Sequence, residues 1–145
     1  ALSAERFLTS SLPERFEENK ERLLDDVFNT LGNPEFAQLF SAEGRAEVPI
    51  QGRLTGEDDK PVEIFGLIDR LLVNDEEVII LDFKTNAFVP RSVQNVSETY
   101  IAQLAVYRKL LSELYPDRRI RALLLYTAGP HLIEIPVELM KSFKF

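Results

Sequence analysis

The chain has 145 residues, is 45% hydrophobic and carries a formal net charge of −7. It is therefore large enough for one domain with a proper core, and its charge argues against a protein that only coats DNA. It has no cysteine, which excludes disulfides, thiolate zinc sites, iron–sulfur clusters and cysteine nucleophiles and makes the cytoplasm the expected compartment. No apolar run approaches the roughly 20 residues of a membrane span, and the start does not read as a signal peptide. Because the chain also lacks an initial Met, we expect it to be a piece of a longer protein.

The first 40 residues are predicted to form a helical lead-in. A short helix is expected over Ala4–Ser10, and apolar residues at helical spacing predict a longer one over Pro13–Leu31. Asn33 is placed to cap a further short helix that ends at Phe40. No residue pattern in this part of the chain indicates catalysis, so its predicted role is packing.

Residues 45–136 are predicted to form the core of a single domain that spans 1–145. Turn residues and apolar alternation separate five strands and one long helix. In chain order these are the strands Ala46–Leu54, Val62–Val73 and Val78–Thr85, the helix Ser97–Tyr115, and the strands Ile120–Thr127 and His131–Ile135. The run 120–127 is almost continuously apolar, which is typical of a strand buried on both faces.

Charged residues are distributed unevenly along the chain. Residues 1–82 carry 8 Lys/Arg against 19 Asp/Glu, a net of −11, whereas 83–121 carry 7 against 3, a net of +4. A basic stretch thus follows an acidic strand end directly. An ordinary solvated surface can give the same pattern, and charge alone favours that interpretation.

The second and third strands contain the residues that predict chemistry. Asp82 and Lys84 lie two apart on a strand and so point the same way, while Phe83 points into the core. A symmetric turn between Asp75 and Glu76 pairs residues whose numbers sum to 151. This register places Asp69 directly opposite Asp82, with Cβ atoms about 5 Å apart.

Two carboxylates at that spacing repel, so a divalent cation such as Mg²⁺ is the natural group between them. An ammonium at Lys84 could orient a water or stabilise charge on a transferring phosphoryl group, and the metal could polarise a phosphodiester. Hydrolysis of a nucleic-acid backbone fits these parts. The alternative is that Asp82 and Lys84 are an exposed ion pair at a strand end.

The long helix carries a polar face that could serve the same site. Tyr100, Gln103 and Tyr107 lie on one face of it and could hold DNA or a water. The alternative is an amphipathic helix with tyrosines at its margin. Gly66, inside the second strand, predicts a bulge or the close approach of another group.

Three motifs carry a family resemblance. They are Gly66, Ile68, Asp69 and Arg70; Leu81 to Thr85; and Gln103 with Tyr107. Together they resemble the RecB-like branch of the PD-(D/E)-x-K nucleases, and best the AddA-type domain of helicase–nucleases in its alphaproteobacterial style. The resemblance implies an α/β fold with a restriction-endonuclease-like core, in which a central mixed sheet is flanked by helices.

The resemblance also implies the roles of particular residues. Asp69, Asp82 and the carbonyl of Phe83 would bind Mg²⁺, or Mn²⁺, and Lys84 would be catalytic. Gln103 and Tyr107 would line the site. Such domains usually have a further metal-binding His on a helix before the hairpin. No His precedes Asp69, so we expect the chain to begin after that residue and its metal site to lack one ligand.

A DNA exonuclease role within a larger machine is implied by the same resemblance. The parent protein would be an ATP-dependent helicase–nuclease of double-strand-break repair and recombination, with an AddB-type partner subunit. ATP would bind only in the helicase part, since this chain has no phosphate-binding loop motif. Related domains in AddB-type proteins use cysteines to hold an iron–sulfur cluster, which this chain cannot do. The alternative is a non-catalytic DNA-binding or subunit-docking domain that has kept the nuclease fold.

Overall fold

The computed structural model describes residues 17–56 and 58–143. The short helix expected over 4–10 lies outside these residues, as does the start of the helix expected from Pro13. Helix α1 spans Glu17–Leu31 and a 3-10 helix spans Pro34–Phe40. Asn33 caps the latter as expected, since its side chain accepts a hydrogen bond of 2.9 Å from the Glu35 amide.

Helix α1 differs from the packing role expected of it. Its apolar residues Val27, Phe28 and Leu31 remain 36%, 39% and 54% exposed. These three side chains of α1 are therefore not buried against the described parts of the chain. No helix in the described parts of the chain is long and apolar enough to cross a membrane.

Five strands form one mixed sheet in the order β1-β2-β3-β4-β5. The β3–β4 pair is parallel and the other three pairs are antiparallel. The strands are β1 Gly44–Thr55, β2 Pro61–Val73, β3 Glu77–Lys84, β4 Arg119–Tyr126 and β5 His131–Glu134. Helix α2, Glu98–Leu114, makes the crossover between the parallel strands that a parallel pair requires. A last helix, α3, spans Val137–Lys141.

Each face of the sheet has its own apolar core. On one face, which we call the α2 face, residues such as Ile68, Val78 and Ile80 pack with Leu104 of α2. On the other, which we call the 3-10 face, the 3-10 helix contributes Phe36 and Leu39, packed on Leu72, Ile79, Leu81, Leu123 and Leu125. Residues 122–126 of β4 are all at most 2% exposed. The prediction that β4 is buried on both faces is confirmed, and so is the mixed sheet flanked by helices.

The β2–β3 hairpin has the predicted register but ends early. Its four pairs run from Val73–Val78 to Arg70–Leu81, and the numbers in each sum to 151. Beyond Leu81, β3 pairs only with β4. Asp69 and Asp82 occupy the next register position, where the two strands separate. We call this gap between β2 and β3 the fork.

The backbone of β1 is distorted beside the fork. Glu47 has φ 51°, a left-handed value that is uncommon for a residue other than glycine. It lies opposite Asp69, and neither residue takes part in the pairing, which runs through Ala46–Arg70 and Val48–Ile68 on either side. The distortion therefore coincides with the place where β2 leaves β3.

Side chains change face at the same point. Ile68 and Leu71, three residues apart, both pack on the α2 face, whereas regular alternation would separate them. Arg70 points to the 3-10 side, where its guanidinium donates to the carbonyls of Leu39 and Ser41. Asp69 thus stands at a break in the strand and does not follow the simple alternation assumed from the sequence.

Candidate active site

The carboxylate of Asp69 lies in the fork. Its Oδ2 accepts a hydrogen bond of 2.8 Å from the Phe83 amide. That amide faces β2 where no strand carbonyl is paired with it, so a side chain satisfies a backbone group that the sheet leaves open. No described residue donates a hydrogen bond to the second oxygen of Asp69, which remains available to a ligand.

Asp82 is the most deeply buried carboxylate described, at 5% exposure. Its Oδ2 is 2.6 Å from the Nζ of Lys84 but receives no well-aligned hydrogen bond from a described residue. Burial, with a further contribution from Asp69, raises the pKa of Asp82 despite the lowering effect of Lys84. A buried carboxylate oxygen whose only partner is one ammonium gains free energy from any further cation that reaches it.

Lys84 is held from two sides. Besides the Asp82 contact, its Nζ lies 3.9 Å from the centroid of the Tyr100 ring, a cation–π geometry. The Tyr100 hydroxyl is in turn 3.1 Å from the Asn86 Nδ2 and 3.3 Å from its Oδ1. The Lys84 side chain is only 13% exposed as a result.

Phe83 turns away from the fork, as predicted. Its ring stacks on Phe40 of the lead-in, with centroids 6.1 Å apart and 12° between the planes. Ile79 and Leu81 pack on the same 3-10 face. This packing anchors β3 while its alternate side chains, Asp82 and Lys84, point to the α2 face.

Tyr107 ties α2 to β2 close to Asp69. Its hydroxyl donates to the Leu67 carbonyl at 3.2 Å and accepts from the Gln103 Nε2 at 3.2 Å. The ring lies directly on Gly66, where an added Cβ would be 2.6 Å from the Tyr107 Cε1. The close approach predicted from this glycine is confirmed. These bonds make Tyr107 an anchor for the helix, and Gln103 reaches the strand through it.

Two residues beside the site were missed from the sequence. Asn86 follows Lys84 by two residues and holds Tyr100, so a polar residue close after the motif was the available signal. Tyr126, 2% exposed, pairs with Lys84 across the β3–β4 ladder. Burial, followed by the nearby Tyr100 and Asp82, raises the pKa of Tyr126. Its end-of-strand position opposite Lys84 could have been found only with the parallel register.

The donor set suits a hard divalent cation. Asp69 offers a free oxygen and Asp82 a buried, under-satisfied one, and oxygen ligands are those that Mg²⁺ and Mn²⁺ prefer. Within 17–56 and 58–143, no group of three His, Cys, Asp or Glu converges on one point. Two carboxylates with backbone or water oxygens match the way Mg²⁺ commonly binds to proteins, through one or two carboxylates. The further His ligand that the resemblance implies stays a prediction.

Comparisons with known proteins show which proteins the chain is similar to. The chain is similar to the A-type subunit of the ATP-dependent helicase/nuclease of Oenococcus oeni, with 32% identity over 78 residues that make up 53% of this chain and 7% of that protein. The protein of the same name from Lactobacillus acidophilus is 23% identical over 133 residues, which are 89% of this chain and 10% of the relative. The chain thus spans a tenth or less of the length of these relatives.

A solved structure and a family model complete the comparison. The crystal structure of SSO0001 superposes with a TM-score of 0.47 at 17% identity, covering 97% of this chain and 79% of that one. The family described as the PD-(D/E)XK nuclease superfamily matches residues 2–140. The resemblance read from the motifs is confirmed at the level of the family and of the helicase–nuclease relatives, while the alphaproteobacterial style stays a prediction. The chain belongs to the PD-(D/E)XK nuclease superfamily.

Proposed function

We propose that this chain is a Mg²⁺-dependent DNA exonuclease domain of an ATP-dependent helicase–nuclease that acts in double-strand-break repair and recombination. The observation that carries the proposal is the fork, where the buried Asp82 has an under-satisfied oxygen beside both Asp69 and Lys84. A second carboxylate beside an ion pair adds repulsion, and a divalent cation bound between the two carboxylates offsets it.

The wider setting rests on the relatives' names. Both relatives are helicase/nuclease proteins of which this chain matches a small part. The proposal takes the chain as a single nuclease domain over 1–145, with a lead-in over 1–40 and a core over 45–136. A cytoplasmic location, ATP binding by the helicase part and an AddB-type partner subunit belong to the same proposal.

The residues divide the chemistry between them. Asp69, Asp82 and the Phe83 carbonyl would hold Mg²⁺ or Mn²⁺, which when bound polarises the phosphodiester and lowers the pKa of a water. The Lys84 ammonium stabilises charge that develops on the phosphoryl oxygens. Tyr107, with Gln103, fixes α2 against the strand that carries Asp69. Lys84 lies within the site because Asp82 and the Tyr100 ring both hold it there.

The test is a set of three variants in the parent helicase–nuclease. Asp82→Ala and Lys84→Ala should each lower DNA cleavage at least about 100-fold, the order of effect found when one stabilising group is removed from such a site. ATP-driven unwinding should remain near the wild-type rate. Glu134→Gln is the matched control, because Glu134 is an ion-paired carboxylate on β5, away from the fork.

Two results would contradict the proposal. Cleavage at the wild-type rate in both fork variants would show that the chemistry lies elsewhere. DNA binding by the wild type without cleavage in either Mg²⁺ or Mn²⁺, with the partner subunit supplied, would favour the non-catalytic domain instead.

A further inference from the structure

A second feature lies at the same edge of the sheet as Lys84. The loop 85–92 leaves the carboxyl end of β3, and the turn 127–131 leaves the carboxyl end of the parallel strand β4. The Thr127 amide donates to the Lys84 carbonyl at 3.0 Å, so the two segments depart side by side. We call these two segments the rim. Its first segment begins directly after Lys84, the residue proposed to be catalytic.

The rim encloses an open cavity of about 400 Å³. The lining residues are Val89, Pro90 and Arg91 from the loop and Gly129, Pro130 and His131 from the turn. Gly129 has φ 143°, and a Cβ added there would come no closer than 4.0 Å to Val89. The turn therefore leaves its backbone accessible from the cavity.

The rim is free of acidic side chains. Neither 85–97 nor 127–133 contains an Asp or Glu, in a chain that has 24 of them. Arg91 and His131 are exposed, and neither forms an ion pair or a side-chain hydrogen bond with another described residue. An unpaired guanidinium in a region without carboxylates favours an anionic ligand, and a phosphate is the group that it binds bidentately.

A large exposed aromatic side chain lies in the same loop as Arg91, three residues before it. Phe88 is 71% exposed, and it immediately precedes the cavity residue Val89. Contact with a partner would remove this ring from water, which is favourable for an apolar side chain. Aromatic rings beside cationic groups are the usual platform for single-stranded nucleic acids, since a base stacks on the ring while the backbone follows the charge.

We propose that the rim is a subsite for single-stranded DNA next to the scissile phosphate. Arg91 of the loop, with His131 of the turn, contacts the backbone phosphates, and Phe88 stacks on an unpaired base. A single strand is favoured over a duplex because only an unstacked base offers its face to a ring. The inference rests on the proposed nuclease function and extends it to the strand beside the cut.

The test is the binding of a fluorescein-labelled 12-nucleotide single strand of DNA to this chain. Binding is measured by fluorescence anisotropy in EDTA so that no cleavage occurs. Arg91→Ala should weaken binding and reduce the slope of log K against log salt by about 0.7, the value for one single-strand phosphate contact. Phe88→Ala should weaken binding at least about fivefold without changing that slope, whereas Phe88→Tyr should bind as the wild type does. Arg118→Ala is the control, since Arg118 precedes β4 at the opposite end of the sheet.

Circular dichroism identifies any variant that fails to fold, and Arg91→Lys and Phe88→Leu then replace the alanine variants with smaller expected losses. Wild-type affinity in folded variants at both positions would overturn the inference. An equal loss in Arg118→Ala would also overturn it, because the binding would then be diffuse charge attraction, and so would the absence of binding by the wild type. The outcome is separable from the proposed function, since Asp82→Ala can abolish cleavage whether or not the rim variants bind DNA.

Discussion

Two ion pairs in one sheet meet very different surroundings. Lys84 and Asp82 approach to 2.6 Å at the fork, with side chains only 13% and 7% exposed. Arg121 and Glu134 join β4 to β5 with two parallel hydrogen bonds of 3.0 and 2.7 Å, and their side chains are 27% and 40% exposed. The Lys84–Asp82 pair is thus buried and joined by one contact, whereas the Arg121–Glu134 pair is partly exposed and joined by two hydrogen bonds.

The pKa values of the two carboxyls move in opposite directions. Burial raises the pKa of Asp82, whereas the hydrogen bond from Arg121 lowers the pKa of Glu134 against the effect of burial. Two hydrogen bonds from one guanidinium satisfy a carboxylate, whereas a single ammonium does not offset the free-energy cost of removing a buried carboxylate from water. The contrast separates an ion pair that stabilises the fold from one that leaves a carboxylate ready for another cation.

The largest expected effect is on stability in the presence of Mg²⁺. A cation that binds only the folded state should stabilise the protein by about 2.7 kcal/mol at 100 times its Kd. Asp82→Asn should abolish this Mg²⁺-dependent rise in Tm, because the fork loses its most under-satisfied oxygen. Glu134→Gln should retain the rise. An Asp82→Asn protein that Mg²⁺ still stabilises fully would place the cation elsewhere.

A smaller effect is expected at Tyr100. Once a cation occupies the Asp82 oxygen, the Tyr100 ring is the remaining partner of Lys84. Tyr100→Leu should therefore lower kcat for DNA cleavage by about 2- to 30-fold, the equivalent of a cation–π interaction of about 0.5–2 kcal/mol. Tyr100→Phe keeps the ring and should retain most of the rate, with unchanged Tm in both variants as the control. Equal loss in the two variants would show that the hydrogen bond to Asn86 matters and the ring does not.

Local rules were enough to predict much of the fork. The turn at Asp75 and Glu76 fixed the β2–β3 register, because turn geometry sets the pairing of a hairpin. Period-two alternation along β3 correctly separated Phe83 from Asp82 and Lys84. Both properties depend on neighbouring residues alone, which is why one sequence was sufficient.

Features that depend on distant parts of the chain could not be predicted. The hairpin ends at Arg70–Leu81, beside the distortion of β1 at Glu47, and the left-handed φ of Glu47 has no sequence signature of the kind a glycine gives. Helical spacing placed Tyr100 on the right face of α2, but its contact with Lys84 depends on how the helix docks on the sheet. The apolar spacing along α1 predicted burial, but spacing identifies only an apolar face of the helix and not the segment that would pack against it.

The smallest expected effect concerns pH and the Arg121–Glu134 pair. The folded protein holds the pKa of Glu134 below its usual 4.5, so the pair stabilises the fold above that pH and loses its contribution as pH falls through the lowered value. Glu134→Gln should lower the free energy of unfolding by at most about 1 kcal/mol at pH 7, since the pair is partly exposed, and should match the wild type in acid.

Asp82→Asn should instead raise the free energy of unfolding at pH 7 in the absence of Mg²⁺. The neutral amide removes the cost of burying a charge at pH 7, and that gain should disappear as pH falls through the raised pKa of Asp82 towards its usual 3.8, where the native carboxyl is itself protonated. Urea unfolding at pH 7, 5 and 3 measures both differences, and two variants that shift stability in the same direction would remove the distinction between the two pairs.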